Sequence, residues 1–156
     1  MKGALIETTE VQDAIIHRHR RVSVEVQQLR LPAGETGPVL GIERTIRVNG
    51  VTGPPVILVH GFAQNRFSWR VSRRSMAAYL AAEGFEVLNL ELRGHGKSRE
   101  YGAPNAVSLE EYVDDLVRVV EACDVPPFVM GHSLGGAVGV GAATQARLAG
   151  LIHLAG

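Results

Sequence analysis

The stretch Val129-Met130-Gly131-His132-Ser133-Leu134-Gly135-Gly136 constrains this chain more than any other. Apolar residues run into a Gly-X-Ser-X-Gly turn, and small residues follow it. The pattern calls for a strand that ends, a serine on a tight turn, and a helix that begins. Gly131 and Gly135 flank Ser133 where a Cβ would crowd a sharply bent backbone, and Ser133 itself must enter unusual φ/ψ space. A helix opening at Leu134 turns unpaired N–H groups toward the serine, so an anion forming beside Ser133 meets donors already in place. Such a pentapeptide also arises by chance in a chain with 18 glycines, so its flanks matter. Pro127-Phe128-Val129-Met130 before it suits a buried strand, and Ala137-Val138 after it suits a helix.

The rest of the chain supplies more strands and helices. Residues 1 to 21 carry the weakest pattern and read as an N-terminal extension; Val11, Ala14 and Ile15 fall on one face of a short helix. His17-Arg18-His19-Arg20-Arg21 is a basic cluster, expected on a solvated surface. Val22, Val24 and Val26 alternate, then Leu29 and Leu31 alternate in the other phase, which a β-bulge at Gln27-Gln28 would explain. Ile42 to Val48 reads as a second strand, antiparallel to the first, with Ile46 and Val48 on one face. Pro55-Val56-Ile57-Leu58-Val59 is a continuous apolar run, as expected of a strand buried on both faces of a parallel sheet. Met76, Tyr79 and Leu80 sit at helical spacing, with Gly84 as the stop. Phe85 to Leu92 is the next strand. Ser108 and Glu111 form a capping box for a helix whose stripe is Leu109, Tyr112, Val113, Leu116, Val120 and Cys123. Leu151 to Ala155 is a sixth strand. The expectation is an α/β fold: a mostly parallel sheet, flanking helices, and antiparallel strands at the N-terminus, over residues 22 to 156.

Several function classes fall away. A formal net charge of zero argues against a nucleic-acid partner. Cys123 is the single cysteine, which fits a reducing compartment. No stretch approaches the length of a membrane span, and Met1 to Glu10 lacks the apolar core of a secretory signal, so a cytoplasmic location is expected. Gly94-His95-Gly96-Lys97-Ser98 contains the Gly-Lys-Ser of a phosphate loop, but the required first glycine is Glu91. No register of the glycines after Ser133 gives a dinucleotide fingerprint. No carboxylate or thiol joins His17 and His19 at metal-ligand spacing. Neither a cofactor nor a metal is expected.

Three loops remain, each after a predicted parallel strand: His60-Gly61-Phe62, Arg93-Gly94-His95-Gly96 and the Ser133 turn. The carboxyl ends of parallel strands are where open α/β sheets bind ligands. With Val56 to Phe62, Glu91 to Ser98 and Gly131 to Gly136 in this order, the chain resembles the N-terminal half of an α/β-hydrolase fold protein over residues 40 to 156. The resemblance implies Ser133 as nucleophile, with the N–H groups of Phe62 and Leu134 as oxyanion-hole donors. Gly61, Gly131 and Gly135 then permit the turns, His60 and His132 are motif neighbours and not bases, and Arg93 to Ser98 support the site. His153 is expected as a core or supporting histidine. A serine nucleophile separates the chain from dehalogenase-type members, which place Asp there, and from polyester synthases, which place Cys.

In this family the order is Ser, then Asp or Glu, then His. Only 23 residues follow Ser133, with no Asp or Glu and a single histidine, His153. Upstream acids such as Asp114 and Asp115 are expected on an exposed helix face or rim. The expectation is therefore a serine esterase or lipase-like enzyme acting on a small ester or acyl substrate, seen as an incomplete domain of about six strands without its base. As a separate chain it is expected to be inactive, with an apolar sheet edge open to association. The competing expectation is a non-catalytic binding module on a degenerate hydrolase fold.

Overall fold

The computed structural model describes residues 1–16, 20–35, 37–71 and 74–155. Its centre is β4 (Pro55–Val59), buried at every position. Alternate side chains of this apolar run serve different cores. Val56 and Leu58 join one cluster with Trp69, Ala77, Ala81, Val87 and Met130. Ile57 and Val59 join the other, with Leu88, Leu90, Leu116, Val119, Val129 and Val138. A strand sandwiched between two layers has no polar face to show, so the run is uniformly apolar. Each such side chain contributes about 1.5–3 kcal/mol by leaving water.

The remaining elements are β1 (Leu5–Ile16), β2 (Arg20–Leu31), β3 (Leu40–Arg47), the short ribbon β5 (Arg70–Val71) with β6 (Arg74–Ser75), and α1 (Met76–Ala82). Then come β7 (Glu86–Glu91), α2 (Gly96–Glu100), α3 (Leu109–Glu121), β8 (Phe128–His132), α4 (Leu134–Ala143) and β9 (Gly150–Leu154). Among the described residues one seven-stranded sheet runs β1-β2-β3-β7-β4-β8-β9. β1, β2, β3 and β7 pair antiparallel in turn. β7, β4, β8 and β9 are parallel. From β4 the chain first moves to one side, to β7, and then returns to the other side as β8. The order reverses at β4, and a crevice opens there at the carboxyl ends of the strands. No helix of the described residues is long and apolar enough to cross a membrane.

Several expectations are corrected. Val11, Ala14 and Ile15 lie in β1, not in a helix, and pair with Glu25, Val22 and Arg21 of β2. Thr8, Thr9, Val11, Ile15 and Ile16 are β-branched, and three apolar residues at helical spacing are too few to outweigh that preference. The sheet thus gains a seventh strand. Of the basic cluster, residues 17 to 19 lie outside those described; Arg20 and Arg21 are exposed.

The change of phase in β2 is not a bulge at Gln27-Gln28, whose pairing with β3 is regular. Val22, Val24 and Val26 pack toward the α1 side, whereas Leu29 and Leu31 pack toward the α3 side. One regular strand passes from cover on one face to cover on the other. The irregularity sits on β1, between Ile6 and Thr8.

Helix α1 buries Ala77, Ala78, Ala81 and Ala82. Met76 and Tyr79 of the expected stripe are exposed, and Leu80 is half-buried. Alanines let the short helix lie against the sheet. Gly84 ends it with φ 99. Asp115, expected at the surface, is fully buried in α3.

Candidate active site

β8 ends at His132, and Ser133 follows with φ 51 and ψ −117. A non-glycine residue in that region carries about 1–3 kcal/mol of strain, held only by its surroundings. Those surroundings are visible. A Cβ at Gly131 would overlap the backbone of Gly135 and Gly136, and one at Gly135 would overlap the carbonyls of Val59 and His60. α4 therefore sits backbone against backbone over the ends of β4 and β8. Ser133 donates its N–H to the Leu154 carbonyl at 2.9 Å, while its own carbonyl accepts from Gly136 N–H at 2.8 Å. Its side chain is exposed and makes no capping bond to α4. Leu134, the first residue of that helix, has no carbonyl one turn earlier within the helix to receive its N–H.

The loop after β4 lies beside this turn because Val59 pairs with Gly131 in the parallel register. Gly61 to Gln64 form a tight turn, with Gln64 N–H on the Gly61 carbonyl at 3.3 Å and Ala63 at φ 56. The phenyl ring of Phe62 stands out from it, 74% exposed. Gln64 folds back over the turn. Its Oε1 accepts from Gly61 N–H at 3.0 Å and lies 3.3 Å from His132 Nδ1. A cavity of about 420 Å³ opens here, lined by Gln64, Ser68, Trp69, His132 and Leu154. A cavity of about 450 Å³ lies elsewhere, lined by the β1–β2 hairpin, Thr45, Phe67, Arg70, Ser75 and Ala78. It shares no residue with the turns around Ser133.

His60 is completely buried, and both ring nitrogens are engaged. Nε2 accepts the Leu92 N–H at 3.2 Å, so Nδ1 must carry the proton it gives to the Gly61 carbonyl at 2.8 Å. Burial pulls its pKa down to about 4, against the Gly61 bond, which raises it; nearby His95 lowers it further. A neutral ring with neither nitrogen free ties the β4 loop to the β7 loop.

The segment after β7 is held by carboxylates. Glu91, fully buried, accepts from Arg66 Nη1 and from Lys97 N–H, each at 2.7 Å. Gly96 at φ 44 makes room for it: a Cβ there would fall on the carboxylate. Arg93 forms a two-pronged pair with Asp115, at 2.6 and 2.8 Å, and reaches Glu111 at 2.7 Å. The Asp115 bonds, against the cost of burial, raise the guanidinium's already high pKa. His95 places Nδ1 2.9 Å from the Arg93 carbonyl. His153 is not a core residue: it is exposed on β9, opposite Gly131, with its ring against Gly136 of α4. Among the described residues β9 pairs on one side only, with β8, and α4 packs across it.

Ser133, Leu134, Gly131, His132 and Gly135 thus lie on the turn from β8 to α4, and Phe62 and Gly61 on the neighbouring turn after β4, with His60 buried behind them toward β7. Gln64 belongs to no motif in the sequence, and Glu91 enters one only as its first residue, with no role assigned to it. Glu91 had a signal, since an acid at the end of an apolar strand needs a buried partner. Asp115, adjacent to the stripe residue Leu116, had the same signal. Gln64 had none. Among the described residues no cluster of three or more His, Cys, Asp or Glu is arranged to hold a metal.

The family model of the alpha/beta hydrolase fold matches residues 54–156. Epoxide hydrolase B from Mycobacterium tuberculosis is 36% identical over 87 residues, covering 55% of this chain and 23% of that protein. Protein phosphatase methylesterase 1 from Bos taurus is 35% identical over 116 residues, covering 70% of this chain and 30% of that protein. The crystal structure of an epoxide hydrolase from Vigna radiata aligns with TM-score 0.60 at 19% identity, over 96% of this chain and 41% of that one. The chain therefore spans less than a third of the length of these curated relatives. The match over 54–156 takes in β4, β7, β8 and every loop that meets at Ser133, and the chain belongs to the alpha/beta hydrolase fold family.

Proposed function

We propose that this chain carries the nucleophile of a serine hydrolase that cleaves carboxylic esters through an acyl-enzyme on Ser133. The observation that carries the reading is Ser133 itself: an exposed hydroxyl at φ 51, on a strained turn between β8 and α4. The names of the relatives offer two chemistries, epoxide opening and methyl-ester cleavage. The serine supports the second. Attack by a serine oxygen on an epoxide carbon would leave an ether, which water does not release. Attack on an ester carbonyl leaves an acyl ester, which water does release.

In this reading the Ser133 Oγ bonds to the carbonyl carbon and its proton passes to a base. The carbonyl oxygen becomes an oxyanion held by Phe62 N–H and Leu134 N–H, and collapse expels the alcohol. Each such donor is worth about 2.7–4 kcal/mol of barrier. The base is the missing piece. Among the described residues no histidine nitrogen is hydrogen-bonded to the Ser133 hydroxyl: His60 binds Gly61 and Leu92, His95 binds Arg93, His132 binds Gln64, and His153 packs on Gly136. The polypeptide 1–156 is expected to show little or no turnover.

Chemical rescue tests this. A fluorophosphonate probe should label 1–156 slowly, at Ser133 and not in Ser133→Ala, and added imidazole should accelerate the labelling by standing in for the base. Modification scattered over other residues, with Ser133 untouched even in imidazole, would sink the assignment. The histidine bonding just described also favours a second reading, a non-catalytic module; that reading stands if Ser133 stays unlabelled while light scattering shows a stable monomer.

A further inference from the structure

The residue that no motif announces is Gln64. It follows Phe62 by two positions, His132 precedes Leu134 by two, and the Gln64 and His132 side chains meet across 68 positions of sequence. We infer that Gln64 is a positioning residue: its side-chain oxygen pins the Phe62 turn to the Ser133 turn and so sets the separation of the two N–H groups. This rests on the hydrolase reading above.

The hydrogen bonds fix the roles of every atom in the bridge. Gly61 N–H can only donate, so the Gln64 group 3.0 Å from it is the carbonyl oxygen, as placed. That oxygen can only accept, so His132 must carry a proton on Nδ1. A neutral histidine in water favours the proton on Nε2. The bridge therefore imposes the less common tautomer on His132 and leaves Nε2 as its unprotonated nitrogen. Gly61 belongs to the same device. A Cβ there would lie 2.9 Å from Gln64 Oε1 and 3.0 Å from His132 Nδ1, wedged into the bridge. The glycine after His60 thus makes room for a contact between side chains, besides allowing a turn.

A positioning role differs from a packing role in what it moves. Donors displaced by a fraction of an ångström weaken the bond-forming step and leave probe binding alone. In the imidazole-assisted labelling assay, Gln64→Leu should lower the maximal labelling rate about tenfold, with the half-saturating probe concentration changed less than about twofold. Gln64→Glu keeps an accepting oxygen and should recover most of that loss. Nitrogen-15 spectra of the His132 ring give a second readout that needs no chemistry at Ser133. They should show Nδ1–H in the unsubstituted chain and Nε2–H in Gln64→Leu, with Gly61 amide exchange about tenfold faster in the variant.

If the unsubstituted chain never labels at Ser133, the hydrolase reading falls, and the tautomer and exchange data alone decide the bridge. Nε2–H on His132 in the unsubstituted chain overturns the bridge whatever the variants do. So does a Gln64→Leu chain whose Gly61 exchange is unchanged, or whose labelling rate is unchanged in a chain that labels.

Discussion

Arg93 and Asp115 meet through two parallel bonds, at 2.6 and 2.8 Å, with their side chains 5% and 0% exposed. One lies just after β7 and the other on the buried face of α3, so the pair fastens the loop to the helix that covers it. Replacing Asp115 by Ala leaves the guanidinium buried beside Glu111 alone. The expected loss is about 3–5 kcal/mol of unfolding free energy in urea titration. A loss below about 1 kcal/mol would mean that water reaches Arg93 and the pair is not desolvated.

His60 makes stability depend on pH. Its folded pKa of about 4 lies below the 6.5 of the unfolded chain. Between these values the unfolded state binds more protons, so unfolding free energy rises with pH. The contribution is fully present above about pH 6.5 and lost as pH falls toward 4, in total about 3 kcal/mol. Urea midpoints at pH 7.5 and 5.0 measure it. The drop should be markedly smaller in His60→Asn; an equal drop in both chains would assign it to other groups.

Gly135 and Gly136 are neighbours with opposite tolerance. A Cβ at Gly135 meets the backbone carbonyls of Val59 and His60, which cannot move without shifting β4. A Cβ at Gly136 meets the ring of His153, an exposed side chain on the edge strand. Gly135→Ala should destabilise by about 3 kcal/mol or prevent folding, whereas Gly136→Ala should cost under about 1 kcal/mol. Thermal unfolding of the two variants side by side tests the contrast, and equal costs would contradict it.

Strain at Ser133 predicts a gain on replacing the serine. Glycine adopts φ 51 without a Cβ penalty, so Ser133→Gly should stabilise the chain by about 1 kcal/mol, after the entropic cost of glycine. Differential scanning calorimetry should show a higher Tm. A clear fall would place the strain elsewhere.

What could be read from the sequence follows physical range. β4 was legible because burial on both faces leaves an unbroken apolar run, and β7 and β8 because shorter apolar runs lead into glycine-containing loops. The loops after them were legible because backbone crowding demands glycine at Gly131 and Gly135. β1 was not, because an edge strand exposing Leu5, Ile6 and Val11 shows no burial pattern. The shift of phase in β2 is visible in the sequence but ambiguous there, since a change in which face is covered and an inserted residue leave the same trace. α1 was found through Met76 and Tyr79, which turn out to be on its exposed side; alanine buries as well as it exposes and announces neither. Gln64 was invisible because its partner lies on the far side of a strand-order reversal.

That reversal has one further consequence. The turns carrying Phe62 and Ser133 leave adjacent parallel strands, locked in step by the pairing of Val59 with Gly131. Neighbouring strands lie about 4.8 Å apart because peptide hydrogen bonds have one length. The spacing of the two strands that feed this crevice is therefore set by main chain and is indifferent to sequence; only beyond Val59 and Gly131, where the ladder ends, does the distance between the turns come to depend on a side chain such as Gln64.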